Sequence, residues 1–576
     1  MALGNPVTVS AAAAVGPRQE LTVRAVMVSL VVAALMGASY PYIVLKLGYG
    51  PNISVVSAFF GFIILGIVGA MTGVRGTRWE INLVQTAGTA AGQSAFMCIV
   101  LAALDMLNAR PELGFSVHLS MWQTFSWLSV AGLIGVLLAV PLRRHYIDEE
   151  ELTFADGLAA GEALLVLDQG PKQAGPRVAA LTVGMFASGV LAVVRDKLKV
   201  FPDTLWFGGH GEALRMGSEV SLLSFGSGML VGPRIALSMG LGMLLSWVIA
   251  PPMLAARGIV PEQSFATVLR WVMWPATGFM VAGGVTALLL KWKLIVKTFS
   301  QLSTKHIGST DFPLRYVVTG TIGLSVLLCV LQKYSLGFPV WLTLVSLVLS
   351  FFLMLVGTRV LGETNWAPIS ALANLMQAVF AVLSPGSMTV NMIGSGMSGT
   401  VAANGETLMQ CYKTGKIVGS NNRSLTILQL ISVPIGALAV AVVYPALKLR
   451  YGIGGNGLTS PISVKWAGFA ELLNQGFNSL PRGCFTAMLI AVALGIVISI
   501  FEPRYSNFLP SPTAVGIGML IPGSAMLPMV AGGVFQWVWA KTSPKTEEMF
   551  CLPGSSGLIA GEALVVLVFA IQAIVA

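Results

Sequence analysis

Gly157-Leu-Ala-Ala-Gly-Glu162-Ala-Leu-Leu-Val-Leu167 returns near the end of the chain as Gly557-Leu-Ile-Ala-Gly-Glu562-Ala-Leu-Val-Val-Leu567, with nine of eleven positions identical. Each copy sets one carboxylate inside an apolar segment of helical period. Duplicated hydrophobic segments mean an architecture assembled from repeats, and internal acids suggest a membrane transporter.

The rest of the composition agrees. Of 576 residues, 55% are hydrophobic and only 10% are charged, and the mean hydropathy is +0.81. A soluble domain carries about 25% charged residues, so this chain cannot build a surface for water and the bilayer is its solvent. Apolar runs of about 20 residues, the length that spans a bilayer, recur from Leu21 to the last residue. The net charge of +10 does not indicate nucleic acid, because the cations sit in short loops: Arg75 and Arg78, Arg143 and Arg144, and Lys291, Lys293, Lys297 and Lys305. That is the positive-inside pattern. The five cysteines are scattered without a C-x-x-C pair, so neither a zinc site nor a disulfide framework is expected.

These features predict an all-α polytopic membrane protein with about sixteen transmembrane helices in two repeat-related halves, with broken or re-entrant segments. Residues 1–20 read as a tail, 21–305 as the first half and 306–576 as the second, with the basic stretch Lys291–Arg315 marking the midpoint. Whether 153–168 spans or is re-entrant decides the side of the Lys291 cluster; a crossing places that cluster, and Arg195-Asp-Lys-Leu-Lys199, inside. Further strings repeat in register: Gly228-Met-Leu-Val231 with Gly518-Met-Leu-Ile521, then Met239 with Met529, Gly242 with Gly532 and Trp247 with Trp537. Pro275, Ala282 and Gly283 echo Pro553, Ala560 and Gly561.

Glycine and proline cluster where a pathway is expected: Ser384-Pro-Gly-Ser-Met388, Gly394-Ser-Gly-Met-Ser-Gly399, Ala402-Ala-Asn-Gly-Glu406, Leu509-Pro-Ser-Pro512 and Ile521-Pro-Gly-Ser524. Irregular backbone at membrane depth lines a cavity or packs inside protein, since an unsatisfied peptide group in hydrocarbon costs several kcal/mol. A charge at mid-membrane costs about 2.5–3.5 kcal/mol on insertion scales and is kept for a use. Glu162, Glu562, Glu80, Glu406 and Glu363 are therefore the candidates for proton coupling, with Arg234 as a counter-charge. The substrate path is assigned to Asn82, Gln85, Trp366, Ser384, Asn391, Asn404, Gln410 and Arg234, with Glu406 and Arg234 offering opposite charges to the two ends of a peptide. No metal-ligating cluster is expected, and no cofactor beyond the coupling proton.

Other classes fare worse. There is no phosphate-binding G-x-x-x-x-G-K-[ST] and no H-E-x-x-H, and the four histidines are far apart. A channel and an intramembrane enzyme stay open as remoter alternatives; rings of charge or a repeated filter are absent for the first, and a placed histidine base for the second.

Four ordered motifs carry a family resemblance: Glu80-Ile-Asn82-Leu-Val-Gln85-Thr86, Leu152-Thr-Phe-Ala-Asp-Gly157, Gly362-Glu-Thr364-Asn-Trp366 and Ser384-Pro-Gly-Ser-Met388. They resemble those of the oligopeptide transporter superfamily, which includes the yellow-stripe-like transporters of metal chelates. In the first, the Asn falls one position later than in the family pattern. The resemblance implies about sixteen helices with internal repeats, and proton-coupled uptake of short peptides or of metal-chelate complexes. The expected partners are that small-molecule substrate and membrane lipid, with a homodimer as an open assembly. The expected location is the cell (plasma or inner) membrane.

Overall fold

The computed structural model describes residues 20–47, 53–173, 175–209, 211–260, 264–290, 312–365, 367–453, 458, 460–474, 481–505 and 508–575. The chain is an all-α, multi-pass membrane protein. The described strands are two three-residue pieces, Thr204–Trp206 and Gly217–Glu219, paired antiparallel in one hairpin.

Ten of the described helices are long and apolar enough to cross a bilayer. This is fewer than the sixteen expected, and the shortfall has a physical origin. Met388–Val418 carries polar residues that face other helices, while Ala155–Gln173 and Pro544–Val575 each combine a buried glutamate with exposed charge near one end, which lowers their hydropathy. Others are half-helices. Leu222–Val231 stops at Gly232, whose φ of 85° suits glycine, and the chain restarts at Pro233, with proline in the first turn of a span that runs to Ala256 and is one of the ten. Pro512–Leu520 stops at extended Ile521, and Gly523–Thr542 follows Pro522. The predicted break at Leu509-Pro-Ser-Pro512 and the one at Ile521-Pro-Gly-Ser524 are therefore real.

The glycines between 394 and 405 behave differently. Met388–Val418 is one continuous helix of 31 residues, interrupted only before its start at Ser384–Ser387. A Cβ at Gly394 would lie 2.4 Å from the Phe380 ring, at Gly396 2.9 Å from Trp127, and at Gly405 2.2 Å from the Met354 sulfur. Small residues here admit neighbouring helices; they do not unwind the backbone. The helix is buried along almost its whole length, against Met121–Ala139, Val340–Thr364, Ile369–Leu383, Ala155–Gln173 and Arg78–Phe96.

The matched strings pack reciprocally. Gly242 and Gly532 are repeat partners, as are Phe225 and Val515 by the same offset. A Cβ at Gly242 would meet the Val515 carbonyl at 2.1 Å, and one at Gly532 the Phe225 carbonyl at 2.0 Å. Gly226 abuts Ser555 and Leu558, while its partner Gly516 abuts Ala276 and Met280. The two copies of the opening string also share a role. Gly157 and Gly161 seat Ala155–Gln173 on Gln410 and Ile417, while Gly557 and Gly561 seat Pro544–Val575 on Leu181 and Met185 of helix Gly175–Asp196.

Candidate functional site

Glu406 lies near the centre of the Met388–Val418 helix, 2% exposed, and among the described residues neither of its carboxylate oxygens has a hydrogen-bond partner. Its carboxylate occupies the space left by Gly357, where a Cβ would come within 2.1 Å of Oε1. The Leu372 side chain borders the same space.

Polar side chains cluster along the same helix. Asn404 Oδ1 accepts from Ser94 Oγ at 3.0 Å, and its main-chain carbonyl accepts from Gln429 Nε2 at 2.9 Å. Gln85 donates to Thr89 at 3.0 Å and faces the Cys411 sulfur at 3.9 Å. Asn82 donates to Ser420 Oγ at 2.8 Å. Gln410 Oε1 accepts from the Gly157 amide at 2.7 Å, tying the first repeat string to the polar helix, and Thr414 donates to the Gly157 carbonyl at 2.9 Å. Asn391 donates to the Gln377 carbonyl at 3.0 Å. Several buried polar atoms along this seam lack a partner among the described residues: the acceptors Asn82 Oδ1, Asn391 Oδ1, Gln377 Oε1, Gln429 Oε1 and Asn374 Oδ1, and the donor Asn374 Nδ2. Buried polar groups are satisfied more than nine times in ten, so a concentration of open ones is unusual and suits a site that receives a polar solute.

The structure therefore gathers Asn82, Gln85, Asn391, Asn404, Glu406 and Gln410 on or against one helix. Ser384 sits apart, in the partly exposed turn before that helix, and Trp366 lies outside the described residues. Arg234 belongs to a different cluster: it pairs with Glu502 at 2.7 Å and reaches the Leu509 carbonyl, rather than facing Glu406. The expected cation opposite Glu406 is thus engaged elsewhere.

The other acids have distinct surroundings. Glu80 is the third residue of its helix in a capping box with Thr77, and Arg24 grips it at 2.5 Å. Glu162 is 7% exposed, with Arg177 as the cation acting on it. Glu562 is 4% exposed; its Oε1 accepts from Arg195 at 2.8 Å and its Oε2 from the Leu223 amide at 2.9 Å. Arg195, read from the sequence as a loop charge, is thus largely buried as the partner of Glu562. Glu363 accepts from Ser511 at 2.8 Å and Thr513 at 2.5 Å, and pairs with Arg359 at 2.8 Å; Arg359 also binds Glu150. Sequence reasoning found none of these arginine partnerships: Arg359 and Glu363 are one helical turn apart, but Arg195 and Glu562, or Arg359 and Glu150, are joined by nothing local in the chain. At one rim, a cavity of about 200 Å3 is bordered by Asp105, Tyr444 and Lys448, with Asp105 accepting from both at 2.6 and 2.7 Å.

The sequence model of the family described as OPT oligopeptide transporter protein matches residues 20–573. A Haemophilus influenzae protein named for oligopeptide transport is 25% identical, over 86% of this chain and 87% of its own. A protein of Oryza sativa subsp. japonica named for metal–nicotianamine transport is 24% identical, over 95% of this chain and 85% of its own. A Saccharomyces cerevisiae protein named for oligopeptide transport is 24% identical over 59% of this chain and 56% of its own.

Proposed function

Because the chain belongs to the oligopeptide transporter family, and is thus an integral membrane transporter rather than an enzyme, we propose that it is a secondary active symporter that takes up short oligopeptides with protons. One observation carries this reading: Glu406, a buried carboxylate without a partner among the described residues, lies on the helix that gathers the amide side chains. A group so placed favours its neutral form and becomes an anion when a cation approaches. In this reading Glu406 exchanges its proton as a peptide amine arrives, while Asn82, Gln85, Asn404 and Gln410 offer donors and acceptors to the peptide backbone. Glu162 and Glu562 supply further coupling carboxylates. The short broken helices let the site face alternate sides without exposing unpaired backbone to lipid.

Uptake of a labelled tripeptide into proteoliposomes tests this. An inward proton gradient is expected to drive accumulation, and Glu406→Gln is expected to abolish it. Uptake indifferent to the gradient would overturn the symport reading.

A second substrate class is favoured by the long alignment with relatives named for metal–nicotianamine transport. A metal chelate brings its own ligands for the metal and offers a polar, charged surface to the same seam of amide side chains. Thermal-shift assays with tripeptides against a metal–nicotianamine complex separate the two.

A further inference from the structure

Ser221 and Ser511 occupy equivalent places in the two halves, at the same offset as the matched Gly228 and Gly518. Each is the N-cap of a short helix: Ser221 accepts from the Ser224 amide and begins Leu222–Val231, and Ser511 accepts from the Ala514 amide and begins Pro512–Leu520. Two positions beyond each cap, Leu223 and Thr513 are also equivalent, and both bind a buried glutamate paired with arginine. Glu562 accepts from the Leu223 amide and from Arg195. Glu363 accepts from the Thr513 and Ser511 hydroxyls and from Arg359.

The two acids come from non-equivalent helices. Where Pro275 and Gly283 align with Pro553 and Gly561, the residue aligned with Glu562 is Gly284. Gly283 nonetheless lies against Pro512 and Thr513. The second half thus keeps the place next to the short helix and fills it with Glu363 from Val340–Thr364. A carboxylate–arginine pair is recreated at the same point by a different route, which is not what an incidental cap would require.

We propose that Glu363 and Glu562 are a matched pair of proton-operated clasps, and that Glu363 is the coupling carboxylate at the short helix Pro512–Leu520, as Glu562 is at Leu222–Val231. This deepens the proton-symport reading and rests on it. An ionised Glu363 accepts two hydroxyl hydrogen bonds on one oxygen and an arginine on the other. On protonation that oxygen turns donor or loses charge, the arginine pair is given up, and the first turn of Pro512–Leu520 is released. A break follows each short helix directly, so its N-terminal clasp and side-chain packing are what hold it. The charged groups facing Glu363 are Arg359 on its own helix and, through Arg359, Glu150 with His145 beside it at 3.3 Å. Glu502 and its partner Arg234 approach from two further helices. Facing Glu562 are Arg195 with Asp196, and Glu219 and Arg215 from the hairpin.

The experiment compares wild type, Glu363→Gln and Glu562→Gln in proteoliposomes, using a labelled tripeptide and a metal–nicotianamine complex as probes. Glutamine keeps an acceptor oxygen for Ser511 and Thr513, so a merely structural cap would leave the pH profile in place. Glu363→Gln is expected to lose gradient-driven accumulation at least tenfold and to flatten the pH profile, while keeping counterflow exchange. A gradient-driven wild type with an unchanged Glu363→Gln profile would overturn the clasp and leave symport standing. A wild type that transports without regard to the gradient would overturn symport itself. Hydrogen exchange on the intact wild-type chain guards against a variant that fails to fold. After correction for intrinsic rates, the first turns of Leu222–Val231 and Pro512–Leu520 should open more readily as the pH is lowered, and protection that does not change with pH would count against the clasps.

Discussion

Gly228 rests against the main chain of Met529 so closely that a Cβ would sit 1.9 Å from the Met529 carbonyl oxygen. The mirrored relationship holds between their repeat partners, with Gly518 at 2.1 Å from the Met239 carbonyl. In lipid, helices gain little from burying apolar surface and associate through close packing. Backbone contact at these matched points is therefore where the two broken segments interlock.

Alanine at either glycine is expected to destabilise the protein by about 1–3 kcal/mol, the range for overpacking a tight contact, and the two costs should be similar. Gly66→Ala, where a side chain meets nothing within 4 Å, provides the control and should melt at or above the wild-type temperature. Thermal unfolding in detergent measures all three. A harmless Gly228→Ala would mean that the interlock is looser than described.

The Arg195–Glu562 pair lends itself to a double-mutant cycle. Removing one partner of a buried pair leaves an uncompensated charge, at a cost of about 3–5 kcal/mol. Glu562→Ala alone should therefore destabilise strongly, whereas Arg195→Ala with Glu562→Ala should cost less than the sum of the single changes. Additive costs in chemical denaturation would show that the two do not depend on each other.

How much of this was readable from the chain differs between its parts. The duplicated string around Glu162 and Glu562 and the Gly228/Gly518 match were visible because close helix packing leaves small residues at fixed spacing. The break at Gly232 was missed, since a single Gly-Pro step looks like any other in a chain of 64 glycines. The breaks expected between Gly394 and Gly405 were not found, because glycine that admits a neighbour and glycine that ends a helix read alike. Glu406 could be picked out as an acid in an apolar context. The partnership of Arg195 with Glu562, or of Arg234 with Glu502, depends on which helices meet, and no local pattern records that.

The hairpin bearing Glu219 should respond to pH. Burial holds the Glu219 carboxyl above its usual range, against the opposing hydrogen bond from Ser524 and the charge of Arg195. A raised carboxyl means that the folded state binds the proton more tightly than the unfolded one. The associated stability is complete below the ordinary glutamate range and is lost as pH rises through the folded-state value. Trypsin cleavage after Arg215, between the two strands, should therefore accelerate as pH rises after allowance for the protease's own profile. Glu219→Gln should remove that dependence, and an identical slope in the variant would contradict the assignment.

Gly357 makes room for Glu406, and that dependence can be tested from both sides. A methyl group at 357 would press on Oε1 at 2.1 Å, while its next neighbour, the flexible end of Leu372 at 3.1 Å, needs only a small shift. Gly357→Ala should therefore force the carboxylate out of its niche, with an overpacking cost of about 1–3 kcal/mol. Deleting the carboxylate should relieve the conflict, so Gly357→Ala with Glu406→Ala is expected to melt higher than Gly357→Ala alone. The uptake readout separates function from fit: Gly357→Ala should lower gradient-driven uptake in a folded protein, and the double variant should regain stability without regaining transport. If the double variant were no more stable than Gly357→Ala, then Glu406 does not fill the space that glycine leaves.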